Sequence, residues 1–113
     1  MRAARLRRSG DIKTLRAEGR SLRRAGFTAR LRRNDLPEAR LAVIAPGNVG
    51  GSVTRNRARR RVREAFRIAL MRHTSLVGLD ILVTARPDAL HTEFIALRDD
   101  AASVLNELTG ATS

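Results

Sequence analysis

Seven arginines stand between Arg55 and Arg67, with a single acid, Glu64, among them. Arg55, Asn56, Arg57, Arg59, Arg60, Arg63 and Arg67 are the candidate ligands for a polyanion. A guanidinium is a planar fork that matches two phosphate oxygens and offers a face for stacking on a base. Wound as a helix at about 100° per residue, the stretch Gly50 to Arg67 separates into faces. Ala58, Val62, Ala65, Phe66 and Ala69 share an apolar stripe; Asn56, Arg60, Arg63 and Arg67 lie along one flank, and Arg57 and Arg61 along the other. An ordinary solvated face mixes signs and sets acids and bases four apart. Here like charges crowd together and repel until phosphates neutralise them. A membrane-surface helix would carry Trp, Phe or several Leu opposite its basic face; a stripe of mostly alanine and valine suits packing against protein. Arginines in the first turn also oppose the helix dipole. Such a local conflict is expected where charges serve a ligand.

Other chemistry is sparse. His73 and His91 fall in separate elements, and no cysteine exists to complete a site. Asp99 and Asp100 are adjacent, so on a helix they point apart and read as a solvated face. Gly47-Asn48-Val49-Gly50-Gly51 precedes the arginine helix, but it lacks the Gly-Lys-Ser/Thr ending of a nucleotide-cradling loop. Its glycines are expected to let the chain turn sharply and to let another backbone approach.

The bulk numbers agree. The chain of 113 residues carries a net charge of +12. Residues 1–72 hold 21 bases and 5 acids, whereas residues 73–113 hold 2 bases and 6 acids. A polyanion that meets the first two-thirds is the simplest partner. The length suits one domain. Three phenylalanines, Phe27, Phe66 and Phe94, are the only aromatics, so the core must be built from Leu, Val, Ile and Ala. The absence of cysteine rules out disulfides and thiolate metal sites and fits a reducing compartment. No apolar run approaches the ~18 residues that span a bilayer.

Around the helix, the pattern predicts a platform. Residues 1–10 read as a flexible basic arm, 11–109 as a single domain and 110–113 as a frayed tail. Asp11 is a candidate N-cap for a short helix, Ile12 to Glu18. Ser21 to Arg33 alternates in its second half (Phe27, Ala29, Leu31), which suits a strand with one wet face; Gly26 marks a bulge, and a further short strand fits near Ser21. A turn at Asn34–Glu38 leads to a buried strand, Ala39 to Ala45, antiparallel to the one before. Ser52 or Thr54 is the expected cap of the long helix, which ends near Met71 or His73. Leu79 to Ala85 forms a strand with a continuous apolar run. His91 to Leu108 places Phe94, Leu97, Ala101, Val104, Leu105 and Leu108 at helical spacing. The order read from the residues is αββαβα.

Val53-Thr54-Arg55-Asn56-Arg57-Ala58-Arg59-Arg60, followed by Val62-Arg63-Glu64-Ala65-Phe66-Arg67, resembles the RNR motif of the bacterial ribonuclease P protein component. The likeness extends through Arg5-Leu6-Arg7-Arg8, Asp11-Ile12 to Gly19, Arg40-Leu41-Ala42-Val43 and Ile81-Leu82-Val83-Thr84-Ala85-Arg86. The resemblance implies an α+β fold, a two-layer α/β sandwich of order αβββαβα with a left-handed βαβ crossover, like that of a ribosomal protein domain. It also implies a cytoplasmic subunit that binds the catalytic RNA of ribonuclease P and assists removal of the 5′ leader from precursor tRNA. The chemistry would be the RNA's, with Mg²⁺ held mainly by RNA, no catalytic residue on the protein and no obligate protein partner. A cleft between the first helix and the sheet would contact the leader, with Ile12, Arg16, Phe27 and Arg30 as candidates. Three aromatic positions of that family cleft fall on Ile12, Arg16 and Arg30, and a basic pair before the glycine loop falls on Gly47-Asn48.

Three other classes compete. A structural, ribosomal-type RNA-binding protein shares the composition and lacks the RNR spacing. A DNA-binding module would need a turn and helix ahead of the arginine helix. An independent nuclease would need clustered acids or paired histidines.

Overall fold

The computed structural model describes residues 4–5, 20–34, 39–72 and 78–109, with the side chains of 20–34, 39–72 and 78–107. The candidate first helix, most of the turn after Asn34, His73, the following loop and residues 110–113 lie outside these residues.

Five strands and two α-helices are described: β1 Ala4–Arg5, β2 Arg20–Arg23, β3 Phe27–Arg33, β4 Arg40–Ile44, α1 Ser52–Met71, β5 Leu79–Ala85 and α2 Phe94–Thr109. The sheet order is β1-β4-β5-β3-β2. β5 is antiparallel to β3 and parallel to β4. This corrects the expectation that β3 and β4 pair with each other. β5 buries all but one of its seven residues, and a strand apolar on both faces belongs in the sheet interior, between neighbours.

The alternation expected of β3 is present. Phe27, Ala29 and Leu31 are buried, and Thr28, Arg30 and Arg32 are half-buried. Leu79, Ile81, Val83 and Ala85 of β5 join the same core as α1 and α2. At its centre the rings of Phe27 and Phe66 meet edge to face, with centroids 5.0 Å apart. Leu82 turns the other way, where Ala42 and Ile44 pack against it. From α2, Leu97, Ala101, Val104 and Leu105 are buried, and half-buried Phe94 packs against them; the side chain of Leu108 lies outside the described residues.

Four local expectations change. Gly26 is not a bulge; it closes the turn between β2 and β3, where the amide of Arg24 donates to the carbonyl of Phe27 at 2.8 Å. A side chain there would begin 2.5 Å from Leu97 Cδ2, so the glycine serves close approach of the hairpin to α2. The N-cap of α1 is Gly51, and neither Ser52 nor Thr54 supplies a capping bond. α2 begins at Phe94 rather than His91, because the chain first makes a 3₁₀ turn at Pro87–Leu90. Thr92 then ties back to the carbonyl of Asp88 through both its amide and its hydroxyl. Finally, the basic arm is not free throughout: Ala4 and Arg5 pair in parallel with Arg40 and Leu41. β4 otherwise presents an open edge, and unpaired strand edges recruit whatever chain can reach them.

Candidate nucleic-acid interface

α1 buries Ala58, Val62, Ala65, Phe66, Ala69 and Leu70. This is the expected stripe extended by one residue, and it turns the opposite face to solvent. Asn56, Arg57, Arg60 and Arg67 are exposed; Arg55, Arg59 and Arg63 are half-buried beside them. At 1.5 Å per residue the ridge from Val53 to Met71 runs about 27 Å. It is basic in the middle and apolar at both ends, with Val53 84% and Met71 54% exposed.

The arginines divide by what holds them. Arg59 donates to Asn56 Oδ1 at 3.0 Å. Arg67 pairs with Glu64, its Nε 2.9 Å from Oε2, and its Nη1 lies 3.1 Å from Met71 Sδ. That hydrogen bond holds the Glu64 carboxyl below its ordinary range and raises Arg67. Arg55 has its Nε shielded from solvent without a hydrogen-bond partner. Arg61 differs in kind. Its Nε donates to the carbonyl of Ala89 at 2.9 Å and its Nη2 to that of Thr92, so its fork fastens α1 to the turn before α2. Sequence periodicity put Arg61 beside Arg57 on a flank; the contacts make it a staple.

Leading into the helix, Pro46–Val53 is exposed except at Val49, which is buried and pins the loop to the core. Gly50 has φ 142°, and a Cβ there would lie 2.9 Å from Thr54 Cγ2. Only glycine adopts that conformation without strain.

A second basic surface lies on the sheet face turned away from α1 and α2. Arg30 pairs in register with Leu82, and Arg32 with Asp80. Arg30 thus stands where a cleft residue is expected. Phe27 does not: it has no exposed surface and faces the helices against Phe66. The period-two alternation of a strand forbids Phe27 and Arg30 from sharing a face, so Phe27 is a core residue and is withdrawn from the cleft. Ile12 and Arg16 lie outside the described residues.

Sequence reading missed Asp80. It is fully buried on β5. Arg40 grips it with two bonds of 2.8 Å, Nε to Oδ1 and Nη2 to Oδ2, and Asn34 donates to Oδ1. Arg32 Nη2 lies 3.6 Å from Oδ2. Burial pushes the Asp80 pKa up, but the bonds from Arg40 and Asn34 and the nearby arginine charges outweigh it, leaving a net lowering. The available signal was one acid inside an apolar strand, in a chain where β3 carries Arg30 and Arg32 at alternate positions and β4 begins with Arg40.

Comparison with known proteins agrees with this geometry. A family model described as Ribonuclease P matches residues 1–109. The ribonuclease P protein component of Chloroflexus aurantiacus is 40% identical over 110 residues, covering 94% of this chain and 78% of that protein. That of Staphylococcus epidermidis is 29% identical over 105 residues, covering 92% and 89%. Among solved structures, the RNase P protein of Thermotoga maritima superposes with a TM-score of 0.73 at 28% identity, covering 96% of this chain and 98% of that one. The Staphylococcus aureus RNase P protein gives 0.76 at 23% identity, covering 95% and 96%, which shows the shared fold.

Proposed function

This chain belongs to the ribonuclease P protein family, and from that premise we propose that it docks on the catalytic RNA of ribonuclease P through the solvent ridge of α1. The observation that carries this reading is the division of one helix. Its apolar side is sealed in the core, while Asn56, Arg57, Arg60 and Arg67 stand exposed on the other, flanked by Arg55, Arg59 and Arg63. Each phosphate neutralised releases condensed counterions, so affinity falls with salt by a slope of about 0.7–0.9 per contact. The chemistry belongs to the RNA, with Mg²⁺ held mainly there, and the protein supplies binding and orientation.

Precursor tRNA is the proposed second partner. Its 5′ leader meets the sheet face that carries Arg30, held by charge and guanidinium stacking more than by aromatic side chains. Leader affinity that barely moves between low and high salt would contradict this.

The deciding assay adds purified protein to precursor tRNA at low Mg²⁺, with and without catalytic RNA. Enhanced leader removal only when the RNA is present supports the reading. Cleavage by protein alone supports a nuclease, and RNA binding without any effect on cleavage a structural protein. Arg60→Ala should weaken RNA binding and make the salt slope shallower by about 0.7–0.9, with the melting temperature unchanged.

A further inference from the structure

The first half of α1 is weakly rooted. Of Ser52–Arg60 only Ala58 is buried, whereas Val62, Ala65, Phe66, Ala69 and Leu70 anchor the second half in the core. No side chain caps the helix, and no acid stands in its first turn. Arg55 and Arg59 are four residues apart, and Arg57 and Arg60 three; like charges at those spacings weaken a helix, and cations near its start oppose the dipole. A segment with so few buried contacts opens locally more readily than the rest of its domain. Yet the exposed Arg57 and Arg60 and the half-buried Arg55 and Arg59 all ride on this half. Arg61 stands at the boundary, and its fork is spent on the fold. Its Nε donates to the carbonyl of Ala89 at 2.9 Å and its Nη2 to that of Thr92. Both acceptors sit on a fixed mount: Ala89 has no exposed surface, and Thr92 is tied to the carbonyl of Asp88 by its amide and its hydroxyl. Two bonds from a charged donor hold more strongly than the burial of one methyl group.

We propose that Arg61 is a positioning residue for RNA docking: it ligates no phosphate and, by pinning α1 to the turn before α2, keeps the weakly rooted half helical, so that Arg57 and Arg60 meet the RNA already in place. The inference rests on the docking reading above and gives one arginine of the helix a different task from its neighbours. Ordering a flexible binding element in advance removes a cost that binding would otherwise carry. Where the competent form is only partly populated, apparent affinity falls by that fraction. Salt acts on the phosphate contacts and not on the staple, so loss of Arg61 changes how many molecules are ready to bind without changing how many phosphates each one neutralises.

The test pairs two measurements on the full chain, well below its melting temperature: binding to the catalytic RNA across a salt series, and amide hydrogen exchange of the free protein. The variants are Arg61→Met, which keeps an apolar stem and helix propensity but cannot donate, and Arg60→Ala. Arg61→Met should weaken binding about tenfold with the salt slope of the parent. Its amides at residues 55–60 should lose most of their protection, while those at 65–70 keep theirs. A slope shallower by about 0.7–0.9 would make Arg61 one more phosphate ligand and overturns the proposal. Parent-like affinity overturns it by leaving the staple a purely structural tie, and weaker binding without faster exchange at 55–60 overturns the pinning. Should Arg61→Met not fold, Arg61→Lys, which keeps the charge and loses the fork, is read against the same outcomes. If the parent shows no binding, or Arg60→Ala leaves the slope unchanged, it is the docking reading that fails, and this proposal falls with it.

Discussion

Replacing Asp80 by Asn removes one negative charge from a fully buried position and leaves the shape almost unchanged. The loss is local and severe. The amide oxygen that remains can still accept from Asn34 and from Arg40 Nε, but in place of Oδ2 an NH2 donor faces Arg40 Nη2 and Arg32, so Arg40 loses one of its two bonds and both arginines lose the carboxylate charge. Taking away one partner of a buried ion pair typically costs ~3–5 kcal/mol, because the remaining charge is stranded. The arginines here are not wholly stranded: the Arg40 side chain keeps 16% of its surface in solvent and that of Arg32 28%. The low end, about 3 kcal/mol, is therefore expected. For a domain of this size each kcal/mol moves the melting temperature by about 4 °C, so Asp80→Asn should melt about 12 °C below the parent at neutral pH.

The sign of the pH dependence follows from the lowered pKa of Asp80. The unfolded chain takes up the proton first, near the ordinary value of 3.8. The stabilisation by the carboxylate is thus complete above that pH and is lost as the pH falls through the lower, folded value. The gap between parent and Asp80→Asn should be widest near neutrality and should close in acid. Thermal unfolding followed by circular dichroism, from neutral pH down to about pH 2, measures both quantities across the range where a shifted carboxyl titrates. A variant that melts with the parent at neutral pH refutes the grip, and a gap that persists undiminished in acid refutes its ionic origin.

Phe66→Ala empties the centre of the core where Phe27 stands edge-on at 5.0 Å; it should lose ~3–5 kcal/mol in denaturant unfolding, and a parent-like midpoint would mean the apolar stripe is misplaced. Glu64→Gln removes the acid that occupies the Arg67 fork. It should bind RNA more tightly and with a salt slope steeper by about 0.7–0.9, read in the same titrations. Because the Glu64 carboxyl is held below its ordinary value, the parent should acquire that gain only at a pH below that of a free glutamate.

Local order was legible where a period met a chemical contrast. The apolar stripe of α1, the alternation of β3 and the buried face of α2 each set apolar against polar residues at a fixed spacing, and all three are present. Strand order was not legible. Pairing between β3 and β5 joins residues about fifty positions apart, and no local pattern encodes that. The one clue, the apolar run of β5, says that the strand is interior without saying which strands flank it. The helix start was misjudged because Ser52 and Thr54 have capping side chains, whereas the cap is Gly51, which has none.

The site shows the same limit more sharply, because arginine is one letter with several uses. Six of the seven arginines on one helix read as one ligand-binding set, with Arg61 placed on a phosphate-attracting flank beside Arg57, and helical phase can sort them only by angle. What separates Arg61 from Arg57 is not phase but reach: the carbonyls of Ala89 and Thr92 arrive from a turn almost thirty residues away and consume its fork. Likewise Arg32 and Arg40 would be counted as phosphate ligands by composition, yet Asp80 balances part of their charge at the centre of the sheet. The formal charge of +12 therefore overstates what a polyanion can meet. The arginines available to it are those whose side chains find no acceptor among the described residues. On α1 these are Arg57 and Arg60 before the others, because both are exposed while Arg61 is held by two carbonyls and Arg67 by Glu64.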